Sequence, residues 1–315
     1  MKKILLCGSL AYDYIMNFKG KFSDHILPHK VHILNVSFTA ENLDKLFGGC
    51  VGNIAYNLSL LKERPTVLAT AGNDFDEYKK WLEKNKIDVS LIKIVSDQPT
   101  ASAYIITDKD DNQITAFYGG AMLRTSQSIR KIFRRNSFDL AIVSPDFQKD
   151  MIRHIRDLKS LKIPYIFDPG QQIINFTPSQ LKLLASGSKA VILNDYELQL
   201  FLERARISKK ELSDLTEYLI ITLGKKGSEI YHQGKKYKIP SAKPKKDLDP
   251  TGAGDAYRAG IIKGLLYNYP VEKMGKIAAL MAVYTVELYG TQTHSFNLSE
   301  FRKRYKKNFK EKLEF

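Results

Sequence analysis

The sequence predicts an α/β fold, in which a mostly parallel sheet carries helices on both faces. The first observation is a series of short apolar runs typical of buried parallel strands: KILLCG (3–8), TVLAT (66–70), LAIVS (140–144), PYIFD (164–168), AVILN (190–194) and YLIITLG (218–224). The second is a set of helix-like stretches between them: NIAYNLSLLKE (53–63), FDEYKKWLEKN (75–85) and SQLKLLAS (179–186). Strands that alternate with helices are the pattern of α/β proteins.

Two further segments interrupt this alternation and predict a small β lid. VHILNVSF (31–38) reads as an antiparallel strand, and residues 101–119 read as a hairpin that turns at the polar stretch KDDN. Because the α/β order resumes on both sides, we expect one domain over residues 1–315, with lid segments near 14–40 and 95–120. A lid over the strand ends of such a sheet would exclude water from a site there.

The composition is that of an ordinary globular protein, with 43% hydrophobic and 26% charged residues. The start, MKKILLCGSLAYD, imitates a secretion signal, but Asp13 interrupts its apolar run, which favours a buried first strand. The two cysteines, Cys7 and Cys50, have neither disulfide-framework nor zinc-site spacing. No apolar run approaches the roughly 20 residues of a membrane helix. We therefore expect a cytoplasmic protein with no membrane partner.

The formal net charge is +15, from 49 Lys and Arg against 34 Asp and Glu. Such a charge is also found in proteins that bind nucleic acid. Much of it lies near position 245, near position 130 and in the last 15 residues. In the last of these, Phe301, Tyr305, Phe309 and Leu313 recur every four positions. This spacing predicts an amphipathic helix that docks through an apolar stripe and exposes a basic face. We therefore expect small-molecule ligands rather than nucleic acid.

The segment DPTGAGDAYRAG (249–260) predicts a phosphoryl-transfer site. A helical pattern follows its glycines, so Gly252, Ala253 and Gly254 lie at a helix N-terminus. Free N–H groups and the helix dipole favour an anion there, and small residues let the backbone approach it. Asp255 in the first turn suits a base for the attacking hydroxyl, the alternative being an acid that only complements the dipole. The sequence contains no GxxxxGK[ST], and these glycines do not complete GxGxxG.

The stretch FGGCVGNIAYNLSLL is a second glycine cluster, and it predicts contact with a ligand. Gly49 precedes a helix expected to begin near residues 52–53, and the Asn53 amide offers a donor and an acceptor to a hydroxyl. A turn with Asn53 as helix N-cap is the alternative. Ser9 and Asp13 follow the first strand, where open α/β sheets bind ligands. An aspartate there suits two adjacent sugar hydroxyls.

Four motifs, in this order, resemble those of the ribokinase or phosphofructokinase-B family of ATP-dependent sugar and nucleoside kinases: GGCVGN (48–53), NDYE (194–197), ITLGKKG (221–227) and DPTGAGD (249–255). The resemblance spans essentially the whole chain, and its last motif is the most specific. It implies a ribokinase-like three-layer sandwich with a mostly parallel central sheet and a small β lid. It also implies ATP and Mg²⁺, and it allows a monovalent cation such as K⁺ and either a monomer or a homodimer.

The resemblance further implies a role for residues in each motif. The catalytic group comprises the base Asp255 and an anion hole of Gly252, Ala253 and Gly254. The ATP-binding group comprises Asn194, Thr222, Gly224, Gly227, Gly252 and Gly254. The residues that would bind the acceptor's hydroxyls are Asp13, Gly49 and Asn53, with Ser9 beside them. Asn194 and Glu197 would hold Mg²⁺ through water, since this ion keeps much of its hydration shell, whereas the simpler alternative for NDYE is a helix N-cap.

Other features resemble the bacterial adenosine-kinase branch of this family. Phe117 resembles a lid residue that stacks on a purine, and Gln171 and Gln172 resemble glutamines that approach the base. An aromatic ring and amide side chains suit a flat, hydrogen-bonding heterocycle, although Phe117 would also serve as a lid core residue. Ala103 and Tyr104 stand where a second stacking aromatic would be wanted, and these neighbours point to opposite faces of a strand.

The leading hypothesis is therefore an ATP-dependent kinase for the 5′-hydroxyl of a nucleoside, with adenosine as the first candidate. A kinase for ribose or another sugar is the alternative within the family. From a different class, the chain would be a non-catalytic nucleotide-binding regulator. The presence together of GAG, NDYE and Asp255 argues against that third interpretation.

Overall fold

The computed structural model describes residues 2–27, 32–110, 112–246 and 248–314. Within these ranges the strands are, in chain order, β1 (Ile4–Cys7), β2 (Ala11–Asn17), β3 (Asp44–Gly48), β4 (Thr66–Gly72), β5 (Asp88–Val95), β6 (Ala101–Thr107), β7 (Gln113–Tyr118), β8 (Leu140–Val143), β9 (Tyr165–Phe167), β10 (Ser188–Asn194), β11 (Thr216–Thr222), β12 (Ser228–His232) and β13 (Lys235–Ile239). The helices are α1 (Phe22–His25), α2 (Cys50–Leu60), α3 (Asp76–Lys84), α4 (Ile129–Ile132), α5 (Gln148–Ser160), α6 (Pro178–Ala185), α7 (Asp195–Ala205), α8 (Lys209–Leu215), α9 (Ala253–Leu266), α10 (Val271–Val286) and α11 (Leu298–Phe309).

The main sheet has nine strands in the spatial order β13-β12-β11-β10-β9-β8-β1-β4-β5. The strands from β11 to β5 run parallel to their neighbours, while β12 and β13 are antiparallel. All six apolar runs named from the sequence lie in this sheet. The predicted mostly parallel sheet is confirmed, and the carboxyl ends of its central strands meet at one edge.

Helices cover both faces of this sheet, because the side chains of each strand alternate between the two faces. In β1, Ile4 and Leu6 pack into one core with α2, α3, α9 and α10. Leu5 and Cys7 point the other way, into a second core with helices α5 to α8. The result is the three-layer arrangement expected from the sequence.

A small sheet of four strands, in the order β3-β2-β6-β7, stands apart from the main sheet. The predicted hairpin is confirmed, since β6 and β7 pair antiparallel. The predicted strand at 31–38 is wrong: residues 34–39 form no strand, and Val31 lies outside the described residues. Its place beside β2 belongs to β3 instead, because Phe47 packs against Tyr12 there and the Tyr78 hydroxyl bonds Gly48 O at 2.8 Å.

Helix α2 begins at Cys50, earlier than the sequence predicts. Gly49 makes the turn into it with φ of 84°, a conformation that a side chain would strain. Asn53 therefore lies within the first turns of the helix and is not its N-cap, so that alternative is wrong. Gly52 has no room for a side chain, because a Cβ there would overlap the Tyr78 hydroxyl at 1.9 Å.

The predicted C-terminal helix is confirmed as α11. Phe301 and Tyr305 are fully buried and Leu313 nearly so, and they pack against Ile277 and Leu280 of α10. Arg302, Lys303, Lys306 and Lys307 stay at the surface, as the spacing predicted, whereas Arg304 is largely buried beside Glu287. Among the described residues, no helix is both long enough and apolar enough to cross a membrane.

Candidate active site

The segment from Asp249 to Asp255 enters α9 at the carboxyl-end edge of the main sheet. Gly252 precedes the helix with φ of 75°. The Asp249 carboxylate holds the turn by accepting from Thr251 N at 2.9 Å and from Gly290 N at 3.1 Å. These two bonds fix the path of the backbone, and so the direction in which the N–H groups of the first helical turn point.

The N–H groups at the start of α9 differ in whether they are free to bind an anion. Ala253 N–H donates to Pro250 O at 3.2 Å, so this group is already used inside the turn. The N–H groups of Gly252, Gly254 and Asp255 make no hydrogen bond to any residue in the described part of the chain. These three donors lie beside the positive end of the α9 dipole, where an anion is favoured, and they make up the candidate anion site, called the anion site below.

Asp255 is half-buried and receives one hydrogen bond, from Asn53 Nδ2 to its Oδ2 at 2.8 Å. Burial raises the pKa of Asp255 to about 6, although Arg258 and the bond from Asn53 both oppose the rise. A carboxylate with this pKa is ionised at neutral pH, and it is basic enough to accept the proton of an attacking hydroxyl. The predicted partnership of Asn53 with the acceptor becomes, in this structure, a partnership with Asp255.

Arg258 lies one helical turn after Gly254 and forms a buried ion pair with Asp168. Its Nη2 donates to Asp168 Oδ1 at 2.6 Å, and its Nε lies 2.5 Å from Oδ2. A Cβ placed on Gly254 would lie 2.7 Å from Arg258 Nη1, so the guanidinium lies beside Gly254. Its positive charge is paired with the Asp168 carboxylate at this place.

The NDYE segment forms a complete capping box at the start of α7. Asn194 Oδ1 accepts from Glu197 N at 2.7 Å, and Glu197 Oε2 accepts from Asn194 N at 2.8 Å. Asn194 is therefore the N-cap of α7, as the alternative interpretation of NDYE predicted. Burial raises the pKa of Glu197, with Arg258 opposing and Asp168 adding to the rise. The Glu197 carboxylate thus lies close enough to the ion pair of Arg258 and Asp168 for both charges to affect its pKa.

Four of the six expected nucleotide-binding residues, Thr222, Gly224, Gly227 and Gly254, line a cleft of about 360 Å³. Asn194 and Gly252 are not among its lining residues, whereas Ala279, Ala282, Val283 and Val286 of α10 add an apolar side. Gly224 and Gly227 have φ of 56° and 89°, which lets the backbone turn sharply along the cleft. Apolar walls with a few backbone polar groups suit a flat base. A larger cavity, of about 650 Å³, lies at the opposite edge of the sheet and contains none of the predicted residues.

The acceptor-side residues lie between β1 and the small sheet. Ser9 Oγ accepts from Cys50 N at 3.3 Å, and a Cβ on Gly49 would meet Ser9 O at 2.6 Å, so both positions shape the backbone here. Asp13 is half-buried on β2 rather than in a loop after β1. Burial raises its pKa to about 6, with the charges of Asp255 and Asp249 adding to the rise. The two carboxylates of Asp13 and Asp255 therefore share one site.

Phe117 lies on the same face of the small sheet as Asp13. In register, Asp13 pairs with Ala103 and Ala103 pairs with Phe117, so the three form one row across β2, β6 and β7. Phe117 is 55% exposed, so it is not a core residue of the small sheet. Tyr104 points to the opposite face, where it stacks on Tyr14 at 5.0 Å.

The two glutamines lie in the 3-10 turn Gly170–Asn175, just after Asp168. Gln171 is exposed, and Gln172 Oε1 accepts from Asn175 Nδ2 at 2.7 Å. Sequence reasoning missed Asp168 and Gln292, which contact Arg258 and Asn53. An acid directly after a buried strand is a usable signal for Asp168, whereas no local pattern marks Gln292.

The raised pKa of Asp255 predicts the acid limb of the pH profile. A base works only when ionised, so we expect kcat to fall as the pH drops through about 6, where Asp255 titrates, and not through the usual range near 4. Initial rates at saturating MgATP between pH 5 and 8 measure this limb. Circular dichroism at each pH separates protonation from unfolding, and full activity at pH 5 would contradict the assignment.

Comparisons with known proteins agree with this geometry. The profile of the pfkB family carbohydrate kinases matches residues 1–297. The nucleoside kinase of Methanocaldococcus jannaschii is 32% identical over 301 residues, which cover 93% of each sequence. The structure of Burkholderia thailandensis nucleoside kinase in complex with inosine has a TM-score of 0.88 at 33% identity, and the match covers 98% of this chain and 99% of that one. Its complex with ADP-inosine has a TM-score of 0.87 at 35% identity, over 98% and 97% of the two chains.

The profile covers most of the chain, and relatives above 30% identity align over nearly its full length. The anion site, the apolar cleft and the half-buried carboxylate at the same edge of the sheet are the parts that phosphoryl transfer needs. The chain therefore belongs to the pfkB family of carbohydrate kinases and is an ATP-dependent kinase with an alcohol acceptor.

Proposed function

We propose that this kinase phosphorylates the 5′-hydroxyl of a nucleoside, with adenosine as the preferred acceptor. The observation that carries the proposal is the row of Asp13, Ala103 and Phe117 across the small sheet. Two strand spacings separate its ends, which is about 10 Å. This span lets a carboxylate hold ribose hydroxyls while an aromatic ring meets the base. The nucleoside kinases among the relatives, one of them in complex with inosine, support the same acceptor class.

Asp13 accepts hydrogen bonds from the two secondary hydroxyls of the ribose, and this orients the 5′-hydroxyl toward Asp255. Asp255 then takes the hydroxyl proton as the oxygen forms its bond to the γ-phosphorus and the bond from phosphorus to the leaving ADP oxygen breaks. The free N–H groups of Gly252, Gly254 and Asp255 stabilise the charge of the transferring group. Gln171 and Gln172 lie at the same strand-end edge and serve the base.

The residues present fit Mg²⁺ that arrives on the nucleotide. Within the described ranges, no group of three His, Cys, Asp or Glu side chains could hold a metal by itself. Glu197 lies close enough to Arg258 for that charge to lower its pKa, and Glu197 and Asn194 would hold the ion through water, as expected for an ion that keeps its hydration shell. When bound, Mg²⁺ supplies charge neutralisation to the phosphates.

The test is ADP release from MgATP with adenosine, inosine, cytidine and ribose in parallel. We expect the highest kcat/KM with adenosine, and a product phosphorylated at the 5′ position by ³¹P and ¹H NMR. Turnover with ribose alone would replace the nucleoside by a sugar and keep the mechanism. Turnover with none, together with tight and salt-sensitive binding of nucleic acid, would favour the non-catalytic regulator.

A matched pair of variants tests the aromatic ring. Phe117→Ala is expected to raise KM for adenosine about fivefold, because one stacking contact is worth about 1 kcal/mol. Tyr104→Ala removes a ring from the opposite face of the same sheet, so it should leave that KM within about twofold. The KM for ATP should change in neither variant. Equal effects of the two changes would mean that Phe117 serves the fold of the small sheet and not the acceptor.

A further inference from the structure

Gln292 is a buried side chain that touches the partner of the catalytic carboxylate but not the carboxylate itself. It is 4% exposed and lies on the segment between α10 and α11. Its Nε2 donates to Asn53 Oδ1 at 3.0 Å, and Asn53 Nδ2 donates to Asp255 Oδ2 at 2.8 Å. A continuous line of hydrogen bonds therefore runs from Gln292 through Asn53 to Asp255.

Neighbouring groups fix which atoms donate and which accept in these hydrogen bonds, because each of those groups can act in only one of the two ways. An indole N–H only donates, and Trp81 Nε1 meets Gln292 Oε1 at 2.9 Å, so this oxygen faces the tryptophan. On the other side the Tyr78 hydroxyl donates its proton to the carbonyl of Gly48 at 2.8 Å. The tyrosine oxygen must then accept from Gln292 Nε2, which lies 2.6 Å away. Both anchors give the same orientation of the Gln292 amide.

That orientation decides how Asn53 points. Because Gln292 presents only N–H to Asn53, the Asn53 oxygen must turn toward Gln292 and its NH₂ toward Asp255. The reverse orientation would leave two N–H groups facing each other and place an amide oxygen against a carboxylate. Amide orientation is ambiguous in an isolated asparagine, but it is not ambiguous in this network.

We propose that Gln292 is a positioning residue for phosphoryl transfer, which holds the Asn53 amide so that Asp255 always meets a hydrogen-bond donor. The inference rests on the proposed role of Asp255 as the base. A donor keeps the carboxylate ionised and fixes the oxygen that does not take the proton. The other oxygen, Oδ1, is then the one available to the attacking hydroxyl.

Other titratable groups surround Asp255. Four of them are charged: Arg258 on α9, Asp168 after β9, Glu197 on α7 and Asp13 on β2. Cys50 on α2 and Tyr78 on α3 also face it, but they are neutral because burial raises the pKa of each. A hydrogen bond to the ionised form lowers a carboxyl pKa, and an opposed oxygen raises it. A reversed Asn53 would therefore raise the pKa of Asp255 with all of these charges unchanged.

Gln292 is not the only contact that holds its segment in place. Thr291 Oγ1 donates to Phe47 O at 2.9 Å, and His294 Nε2 lies 2.9 Å from Asn57 Oδ1. A change at Gln292 can therefore alter the hydrogen-bond direction without releasing the segment.

Two variants of Gln292, each made in the wild type and in an Asn53→Ala background, distinguish an effect of the Asn53 orientation from effects of packing and of charge at position 292. Gln292→Glu keeps the shape and the bond from Trp81 but cannot donate when ionised, so it should turn Asn53 around. We expect the acid limb of kcat to move up by about one pH unit, which lowers the rate at pH 6 about fivefold, with KM for ATP unchanged. Gln292→Met is neutral and leaves Asn53 free, so its limb should lie between those of the wild type and Gln292→Glu.

The Asn53→Ala background is the decisive arm. If Gln292 acts only through the orientation of Asn53, Gln292→Glu should shift the acid limb of kcat by less than about 0.3 pH units in this background. The reason is that the Asn53 amide is absent and cannot be reoriented. An equal shift in both backgrounds would show a direct charge effect and overturn the proposal. A methionine variant that is indistinguishable from the wild type, or as impaired as the glutamate variant, would also overturn it. If Gln292→Glu does not fold, Gln292→Met in the two backgrounds makes the same comparison.

Failure of this inference can be told from failure of the function it rests on. If Asp255→Asn keeps the wild-type rate and acid limb, Asp255 is not the base and the proposed mechanism fails. If Asp255→Asn is inactive while the acid limb of Gln292→Glu stays at the wild-type position, only the role of Gln292 fails.

Discussion

Asp255→Asn is expected to lower kcat about 10³-fold, while KM for ATP and the thermal midpoint change little. The asparagine has the same shape and can still accept the hydrogen bond from Asn53, but its amide cannot take a proton from the acceptor hydroxyl. Loss of a positioned general base costs about 10² to 10⁴ in rate. Steady-state kinetics with the best acceptor, beside thermal unfolding of the same preparation, measure both quantities.

The control for this variant is Asp195→Asn. Asp195 is also an acid in the first turn of a helix, α7, but it is exposed and lies outside the anion site. If Asp255 only complemented its helix dipole, both variants would lose about the same small free energy, well below 1 kcal/mol. An Asp255→Asn enzyme that kept more than about a tenth of its kcat would contradict the assignment of the base.

Arg258→Met is expected to lower the free energy of unfolding by about 3 to 5 kcal/mol. Asp168 is 1% exposed, and removal of Arg258 leaves its charge buried without a partner. The pKa of Asp255 and that of Glu197 should also rise, since Arg258 lowers both. Urea unfolding at constant pH gives the free energy, and the acid limb of kcat reports the shift.

Two further variants decide whether the unpaired charge is the cause. Arg124→Met breaks an ion pair whose side chains are 52% and 67% exposed, so it should change stability by less than about 1 kcal/mol. Arg258→Met with Asp168→Leu removes both buried charges and should recover part of the loss. A single variant as stable as the wild type, or a double variant less stable than Arg258→Met, would show that the pair does not hold this region together.

The sequence alone determined six of the nine strands of the main sheet, the entry to α9 and the apolar stripe of α11. Each rests on local information: the apolar runs, the small residues before Asp255 and the four-residue spacing of the last helix. Burial of one face of a strand or helix imposes such periods wherever the element packs. The pfkB motifs likewise predicted the kinase reaction, because a backbone anion site needs small residues at a helix start.

Only the tertiary structure decided which polar groups meet. Asn53 and Asp255 are 202 residues apart, and Gln292 and Asn53 are 239 apart. It also assigned the strand beside β2 to residues 44–48 and showed that the Ala253 N–H is used inside its own turn. Local patterns specify which face of an element is buried, whereas the order of strands in the sheet decides which loops converge at its carboxyl edge. Partners of buried polar groups are set by that convergence, so they cannot be read from any one segment.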